Sequence, residues 1–95
     1  MPAVARKTDV DTGHGGWPSR PCDQGSPDSF ANGLALHRKG DHWGTHCNGP
    51  ACHDSSLASG SPTVLTNGLQ QGRVGDPVAC GGTVATGSPD TFAGP

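Results

Sequence analysis

The sequence predicts a small all-β protein built from three β-hairpin repeats related by pseudo-threefold symmetry. Two short motifs carry this prediction, because each recurs three times and they alternate in a fixed order along the chain. The lack of any sustained 3.6-residue apolar periodicity argues against helices. The motifs Arg-x-x-Asp and Gly-Ser-Pro begin, respectively, at Arg6, Arg38 and Arg73, and at Gly25, Gly60 and Gly87.

The hairpins are predicted from the residues that follow each Gly-Ser-Pro. A short strand-like segment leads to Asn32-Gly33 in the first repeat and to Asn67-Gly68 in the second. Asn-Gly is a strong signal for a hairpin turn because both residues accept positive φ angles. In both repeats eight positions separate the turn glycine from the next Arg-x-x-Asp aspartate. A returning strand of constant length is therefore expected, and in one repeat it includes the alternating segment 34–36.

Residues 1–95 are expected to form a single domain, with repeats at approximately 3–33, 34–68 and 69–95. Only 31% of the residues are hydrophobic, whereas Gly occurs 16 times and Pro 9 times. A chain this short with so few apolar residues buries too little surface to depend on its core alone. A metal ion or disulfides are therefore expected to add stability.

Charge and hydropathy exclude several classes of function. The formal net charge of −2 supplies no basic surface for nucleic acid. No apolar run reaches the ~18 residues that a membrane-spanning helix needs. The N-terminal segment lacks the apolar region of a signal peptide. The protein is therefore expected to be made in the cytoplasm and to leave the cell, if it does, by a route that reads no signal peptide.

The segments between each Arg-x-x-Asp and the next Gly-Ser-Pro, here called the ligand loops, carry the candidate metal ligands. These loops, residues 10–24, 42–59 and 77–86, contain all four cysteines and four of the five histidines. Each loop places one ligand-type residue four or five positions after its aspartate: His14, His46 and Cys80. A structural zinc site needs four nitrogen or sulfur ligands. His53, in the longest loop, is the expected fourth.

The dense middle loop leaves other ligand sets open. His42 could replace either of the two histidines predicted there, and Cys47 or Cys52 could replace His53. The cysteines outside the site, including Cys22, are either free thiols or paired. His37 lies outside the ligand loops and is expected to be a partly exposed strand histidine with no role in metal binding.

The repeats resemble those of the PAAR-repeat family. The matching segments are residues 12–16 (Thr-Gly-His-Gly-Gly), 60–68 (Gly-Ser-Pro-Thr-Val-Leu-Thr-Asn-Gly) and 73–82 (Arg-Val-Gly-Asp-Pro-Val-Ala-Cys-Gly-Gly). The resemblance implies a short cone with pseudo-threefold symmetry and a metal at its apex. That metal would be one structural zinc ion, held by three histidines and one cysteine. This ligand count agrees with the set His14, His46, His53 and Cys80.

The same resemblance implies a function as a tip cap. The protein would bind the end of a trimeric β-helical spike and sharpen it for membrane puncture by a contractile injection system. The partner would be a valine-glycine-repeat-type spike protein of a type VI secretion system or the central spike of a contractile phage tail. The cap would not be an enzyme, would touch the target membrane transiently during delivery across the target envelope, and could carry effector cargo. The spike-facing base is expected near Phe30, Val64, Leu65, Phe92 and residues 2–4.

Two other classes of protein compete with the tip cap. A small zinc-binding metalloenzyme or metal carrier would keep an open position on its metal, with an acid or base beside it. Asp11 and Asp54 are the nearest candidates for that acid or base in the sequence. A disulfide-stabilised secreted binding module would instead pair all four cysteines.

Overall fold

The computed structural model, which describes residues 1–94, is an elongated all-β molecule with extents of 37 × 23 × 22 Å. Its six short strands pair in sequence order as three separate two-stranded antiparallel sheets, and the described residues contain no helix. No helix that could span a membrane is therefore found among them. The strands are β1 (Phe30–Ala31), β2 (Leu34–Ala35), β3 (His42–Asn48), β4 (Ala51–Ser56), β5 (Leu65–Thr66) and β6 (Leu69–Gln70).

The predicted Asn-Gly turns are confirmed. Asn32 and Gly33 have φ angles of 57° and 77° and connect β1 to β2, and the turn between β5 and β6 has nearly the same angles. The third repeat has no Asn-Gly turn. Its Phe92 pairs instead with Ala3, near the N-terminus. The two ends of the chain thus complete the third unit together.

Each Gly-Ser-Pro motif forms the same compact turn. The serine hydroxyl of Ser61 accepts hydrogen bonds from the backbone N–H groups of Thr63 and Val64, at 3.2 and 3.0 Å, and Ser26 and Ser88 do the same in their repeats. The preceding glycine has no room for a side chain, since a Cβ on Gly60 would lie 2.5 Å from a backbone carbonyl oxygen. Close backbone approach therefore explains why glycine precedes the serine.

Each Arg-x-x-Asp motif is a buried ion pair that also closes a turn. In the second repeat, Asp41 accepts hydrogen bonds from the backbone N–H, Nε and Nη2 of Arg38, all at 2.9 Å. Arg38 also donates through Nη1 to the side chain of Asn67, which ties the ion pair to the hairpin turn. Equivalent pairs form in the other repeats, Arg6 with Asp9 and Arg73 with Asp76.

A ring of three backbone hydrogen bonds joins the repeats around the pseudo-threefold axis. The N–H of Ala5 donates to the carbonyl of Gly72, that of Gly72 to His37, and that of His37 back to Ala5, at 2.8 to 3.0 Å. The side-chain amide of Gln71, which is buried, donates to the same three carbonyls at 3.0 to 3.3 Å. The three repeats are therefore locked to one another at a single point.

The prediction that His37 is partly exposed is wrong. Its place in the central ring leaves it 0% exposed, with Nδ1 2.7 Å from the carbonyl oxygen of Gln24 and its ring edge-on to Trp43. Burial lowers the pKa of His37, which favours the neutral imidazole. A strand histidine would be half exposed on an open sheet, but here the strand runs beside the axis of the molecule.

Two small apolar clusters make up the core. The larger surrounds Trp43, which is fully buried, and brings together residues from all three ligand loops. The smaller contains Val4, Ala31 and Ala93 and lies beneath the hairpins. Val4 was expected to face a partner as part of residues 2–4. It is 3% exposed, because it packs against Ala31 and Ala93, so this part of the predicted base is wrong.

Candidate metal centre

The four predicted ligands come together at one site. His14, His46, His53 and Cys80 each offer one ligand atom, and these atoms all lie within 4.8 Å of one another. The site draws on all three ligand loops, with two of its members from the middle one. His46 is buried and the other three are half-buried. The convergence joins the three repeats a second time, away from the central ring.

The hairpin of β3 and β4 sets the positions of the two middle-loop histidines. His46 and His53 are directly opposed partners across this antiparallel pair, so their side chains project from the same face. The pairing register shifts between Trp43 and His46. Trp43 lies in the core, whereas His46 belongs to the site.

Tight turns bring the other two candidate ligands to the same place. His14 and Trp17 exchange two backbone hydrogen bonds, at 3.0 and 2.7 Å, around a turn that contains Gly15 at φ 52°. Cys80 precedes Gly81 and Gly82, which have φ angles of 122° and 77°. A side chain on Gly82 would lie 2.6 Å from the carbonyl oxygen of Gly13. Glycines therefore allow the first and third loops to pack closely enough to share one ion.

The donor set suits a tetrahedral metal ion, and one of its nitrogen–sulfur distances already has the spacing that such an ion needs. Bonds of about 2.0–2.3 Å from zinc to nitrogen and sulfur place neighbouring ligand atoms about 3.3–3.7 Å apart. Sγ of Cys80 lies 3.5 Å from Nε2 of His14, within that range. Nε2 of His46 lies 2.6 Å from Nε2 of His53, so these two imidazoles would move slightly apart around an ion.

Contacts around two of the histidines favour their neutral forms. Nδ1 of His46 lies 2.8 Å from the carbonyl oxygen of Pro18. Since a carbonyl can only accept, Nδ1 carries the proton and Nε2 presents its lone pair to the site. Desolvation, together with the neighbouring His46 and His14, lowers the pKa of His53, which also favours the neutral, metal-binding form.

Trp17 covers the histidine cluster. Its ring stacks on His53 with centroids 3.9 Å apart and lies 5.1 Å from His46 and 5.8 Å from His14. An indole in this position shields the imidazoles from water on one side. The sequence analysis did not single out Trp17, although a tryptophan three positions after a candidate ligand within a Gly-rich turn was a usable signal.

The alternative middle-loop ligands are engaged elsewhere. His42 lies between two carboxylates, with Nδ1 2.6 Å from Asp23 and Nε2 2.7 Å from Asp54. Cys47 and Cys52 form a disulfide across the same hairpin, next to the His46–His53 pair. Cys22 is a free thiol in the core, where burial raises its pKa to about 12.

The two acidic residues considered as catalytic groups do not present a free carboxylate to the site. Asp11 is 1% exposed and forms an ion pair with Arg20, accepting from its Nε at 3.3 Å. Asp54 is exposed and accepts its hydrogen bond from His42, which lowers the pKa of the carboxyl group. Arg20 is a further residue that the sequence analysis missed, because it has no counterpart in the other repeats.

Each repeat exposes one large apolar side chain at an equivalent position. Phe30, Leu65 and Phe92 each stand five positions after the glycine of Gly-Ser-Pro, and are 59%, 59% and 51% exposed. Val64 is also exposed, as expected for the base, and so is Leu69. The next residue of each strand is buried, as alternation in a strand requires. We call Phe30, Leu65 and Phe92 the apolar trio.

Fold and site together define a class: small all-β proteins of three hairpin repeats with a His₃Cys group that could bind a metal. The PAAR motif matches residues 11–86 of the 95-residue chain, and the chain therefore belongs to the PAAR-repeat family. This is a family of structural spike-tip proteins, and membership supports a spike-tip role in contractile injection systems. A search of curated proteins finds no significant match.

Proposed function

We propose that this protein is a metal-stabilised cap, with one structural zinc ion at its apex, that binds the end of a trimeric β-helical spike and sharpens it for membrane puncture. The convergence of four nitrogen and sulfur donors within 4.8 Å carries the proposal. In this role the protein is a mechanical part without catalytic activity. It acts at the tip of the spike and crosses the target envelope with it.

Zinc is the metal that best suits the donor set. Three imidazoles and one thiolate in a near-tetrahedral cluster are typical of structural zinc sites. When bound, the ion supplies a cross-link between the three ligand loops. His14, His46, His53 and Cys80 would hold it, and Trp17 would limit the access of water. Because the ligands come from distant parts of the chain, the free energy of binding contributes to folding.

The apolar trio is proposed as the spike-binding base. Its three members are equivalent by repeat, so they present similar chemistry in three directions around the axis. A trimeric spike ends in three equivalent chain ends, and one repeat can face each of them. The exposed strand edges of an uncapped spike are prone to non-specific pairing, which a cap would prevent.

Elemental analysis and thermal melting test the metal. One zinc per chain is expected in the purified protein. His14→Ala should lose the ion and melt at a lower temperature, while His42→Ala, which changes a histidine outside the proposed ligand set, should retain it. At free zinc a thousand times the dissociation constant, the ion adds about 4 kcal/mol of stability. A chelator-treated protein that melts at the same temperature as the untreated one would contradict a structural metal.

Binding to the spike is tested with the apolar trio. Phe30, Leu65 and Phe92 are replaced together by Glu, and the variant is titrated against the isolated β-helical end of a trimeric spike. Binding is expected to weaken by at least 100-fold, because charged groups would have to be buried in the interface. The matched control places the same three charges elsewhere on the surface, as Thr45→Glu, Ala58→Glu and Ala85→Glu. Equal binding by both variants would rule out this surface as the base.

A further inference from the structure

We propose that Arg20 is a positioning residue for the metal centre, holding the sulfur of Cys80 in place through a charge-assisted hydrogen bond. Nη2 of Arg20 lies 2.9 Å from Sγ of Cys80. This inference rests on the proposed metal site. It adds a residue that is not itself a ligand and that belongs to none of the repeated motifs.

The first observation is the burial of a permanently charged side chain. The side chain of Arg20 is 3% exposed and that of its partner Asp11 is 0% exposed. Removing such a pair from water costs several kcal/mol for each ion, so it persists only where other hydrogen bonds offset that cost. Nothing in the repeat symmetry requires it, because the three Arg-x-x-Asp pairs already serve each repeat. The Arg20–Asp11 pair therefore serves a need of the ligand loops and not of the repeated frame.

The second observation is where the guanidinium directs its donors. Nε donates to Asp11 at 3.3 Å, Nη1 to the carbonyl of Gly44 at 2.7 Å, and Nη2 to Cys80 at 2.9 Å. These three acceptors lie in the first, second and third ligand loops respectively. One planar group thus fixes the relative positions of the loops that carry the four ligands, which a lysine with a single ammonium could not do equally well.

The third observation is that Asp11 orients the arginine. One oxygen of Asp11 accepts the backbone N–H groups of Gly13 and Arg20, at 3.1 and 3.0 Å, and the other accepts Nε. The carboxylate is therefore held by three donors from its own loop. Because Gly13 directly precedes His14, the same carboxylate also fixes the start of the turn that carries one of the ligands.

The chemistry of sulfur indicates what the contact does. A thiol is a weak acceptor, whereas a thiolate accepts strongly and is the form that binds zinc. The guanidinium of Arg20 donates to this sulfur and fixes its position without occupying a coordination position. Partners of this kind, which bind a ligand rather than the metal, typically change metal affinity by about 10- to 100-fold when removed. Arg20 would thus raise the metal affinity of the centre as well as hold the three ligand loops in position.

Cobalt(II) substitution provides the test, because the sulfur-to-cobalt charge-transfer band reports directly on the electron density of the Cys80 sulfur. Wild type, Arg20→Leu and Arg20→Lys are titrated with cobalt and then with zinc in competition. Loss of the hydrogen bond is expected to move the band to longer wavelength. It should also weaken zinc binding by about 10- to 100-fold in Arg20→Leu, with a smaller effect in Arg20→Lys.

The matched control is Arg6→Leu, which removes a guanidinium from an Arg-x-x-Asp pair in which the arginine side chain is 14% exposed. It should lower the melting temperature yet leave the charge-transfer band in place, which separates general destabilisation from an effect on sulfur. If Arg20→Leu does not fold, Arg20→Lys provides the same comparison. An unchanged band and affinity in the Arg20 variants overturns the role of Arg20 alone. Failure of the wild-type protein to bind either metal overturns the proposed metal site as well.

Discussion

The three repeats form equivalent contacts in one region of the molecule, here called the frame, and different contacts in another, the ligand loops. We define the frame as the three Arg-x-x-Asp pairs, the three Gly-Ser-Pro turns and the central ring of Ala5, His37 and Gly72. In the frame, equivalent residues make equivalent bonds, with all three serines accepting the same pair of backbone N–H groups. In the ligand loops, no two repeats make the same contribution.

The difference among the ligand loops follows from the proposed metal site, because four protein ligands cannot be divided equally among three repeats. Four ligands shared among three repeats require one repeat to supply two, and the hairpin of β3 and β4 supplies His46 and His53. One repeat then offers a histidine and another a cysteine. Residues that differ among the repeats therefore belong to the candidate site, whereas residues that recur in all three belong to the frame. The same reasoning explains why Arg20 and Trp17, which have no counterparts, both touch the site.

The most disruptive way to test the frame is to break its ion pairs one at a time. Asp9→Ala, Asp41→Ala and Asp76→Ala each leave a buried guanidinium without its carboxylate. Each is expected to cost about 3–5 kcal/mol of unfolding free energy, as for other broken buried pairs. Urea denaturation at fixed zinc concentration measures this.

Comparing the losses of unfolding free energy among the three variants tests whether the frame is energetically symmetric. The side chains of Asp9, Asp41 and Asp76 are similarly buried, at 6%, 4% and 8% exposure. Equivalent positions in a symmetric frame should therefore lose stability by similar amounts, within about 1 kcal/mol. If one variant were as stable as the wild type while another failed to fold, the frame would not be energetically symmetric.

The repeated motifs of the frame could be recognised from the sequence, because repetition reveals which residues are structural. The Asn-Gly turns were predicted from their residues and spacing. The turn formed by Gly-Ser-Pro and the ion pair of Arg-x-x-Asp were recognised only as repeated motifs. Three of the four clustered side chains were also found from their register within the loops, and His53 was chosen as the fourth from its place in the longest loop. Repetition gives no information about a contact that occurs only once in the molecule. The burial of His37 and Val4 depends on the central ring, which forms only when all three repeats meet.

Two contacts in the ligand loops also could not be predicted from the repeats. Cys47 and Cys52 pair because a four-residue turn places them opposite each other, a register that the sequence left open among several uses of the cysteines. Arg20 approaches Cys80 across 60 positions of chain. Neither a repeat nor a local motif signals such a long-range pair, so it emerges only from the fold.

The second prediction concerns the Cys47–Cys52 disulfide, whose removal should destabilise the middle ligand loop and leave the frame intact. Replacing Cys47 and Cys52 together by Ser removes the cross-link beside the His46–His53 pair. The ring closed by this disulfide is short, so the expected loss of stability is roughly 2 kcal/mol. The metal-free protein should be compared before and after substitution, so that zinc does not mask the effect.

Amide hydrogen exchange locates that loss. Exchange is expected to accelerate in β3 and β4 and to stay unchanged at Ala5, His37 and Gly72, whose N–H groups form the central ring. Wild-type protein treated with a reductant provides the chemical control and should reproduce the variant. Uniform acceleration along the whole chain would show that the hairpin and the frame unfold as one unit.

The smallest predicted effect is a pH dependence centred on His42. Hydrogen bonds to Asp54 and Asp23 raise the pKa of His42. A group whose pKa is higher in the folded protein contributes stability that is fully present below its unfolded pKa of about 6.5. That contribution is lost as the pH rises through the folded value. Because the imidazole is 40% exposed, solvent screening limits it to less than about 1 kcal/mol.

The difference in unfolding free energy between the wild type and His42→Gln isolates this effect, since other titrating groups are common to both proteins. The difference should be largest under mildly acidic conditions and should vanish in alkaline solution. Asp54→Asn removes the partner that raises the pKa most, so the loss should occur at a lower pH in that background. A difference that does not change with pH would mean that the two carboxylates do not hold His42 in its protonated form. The link between β4 and the first ligand loop would then be an uncharged hydrogen bond.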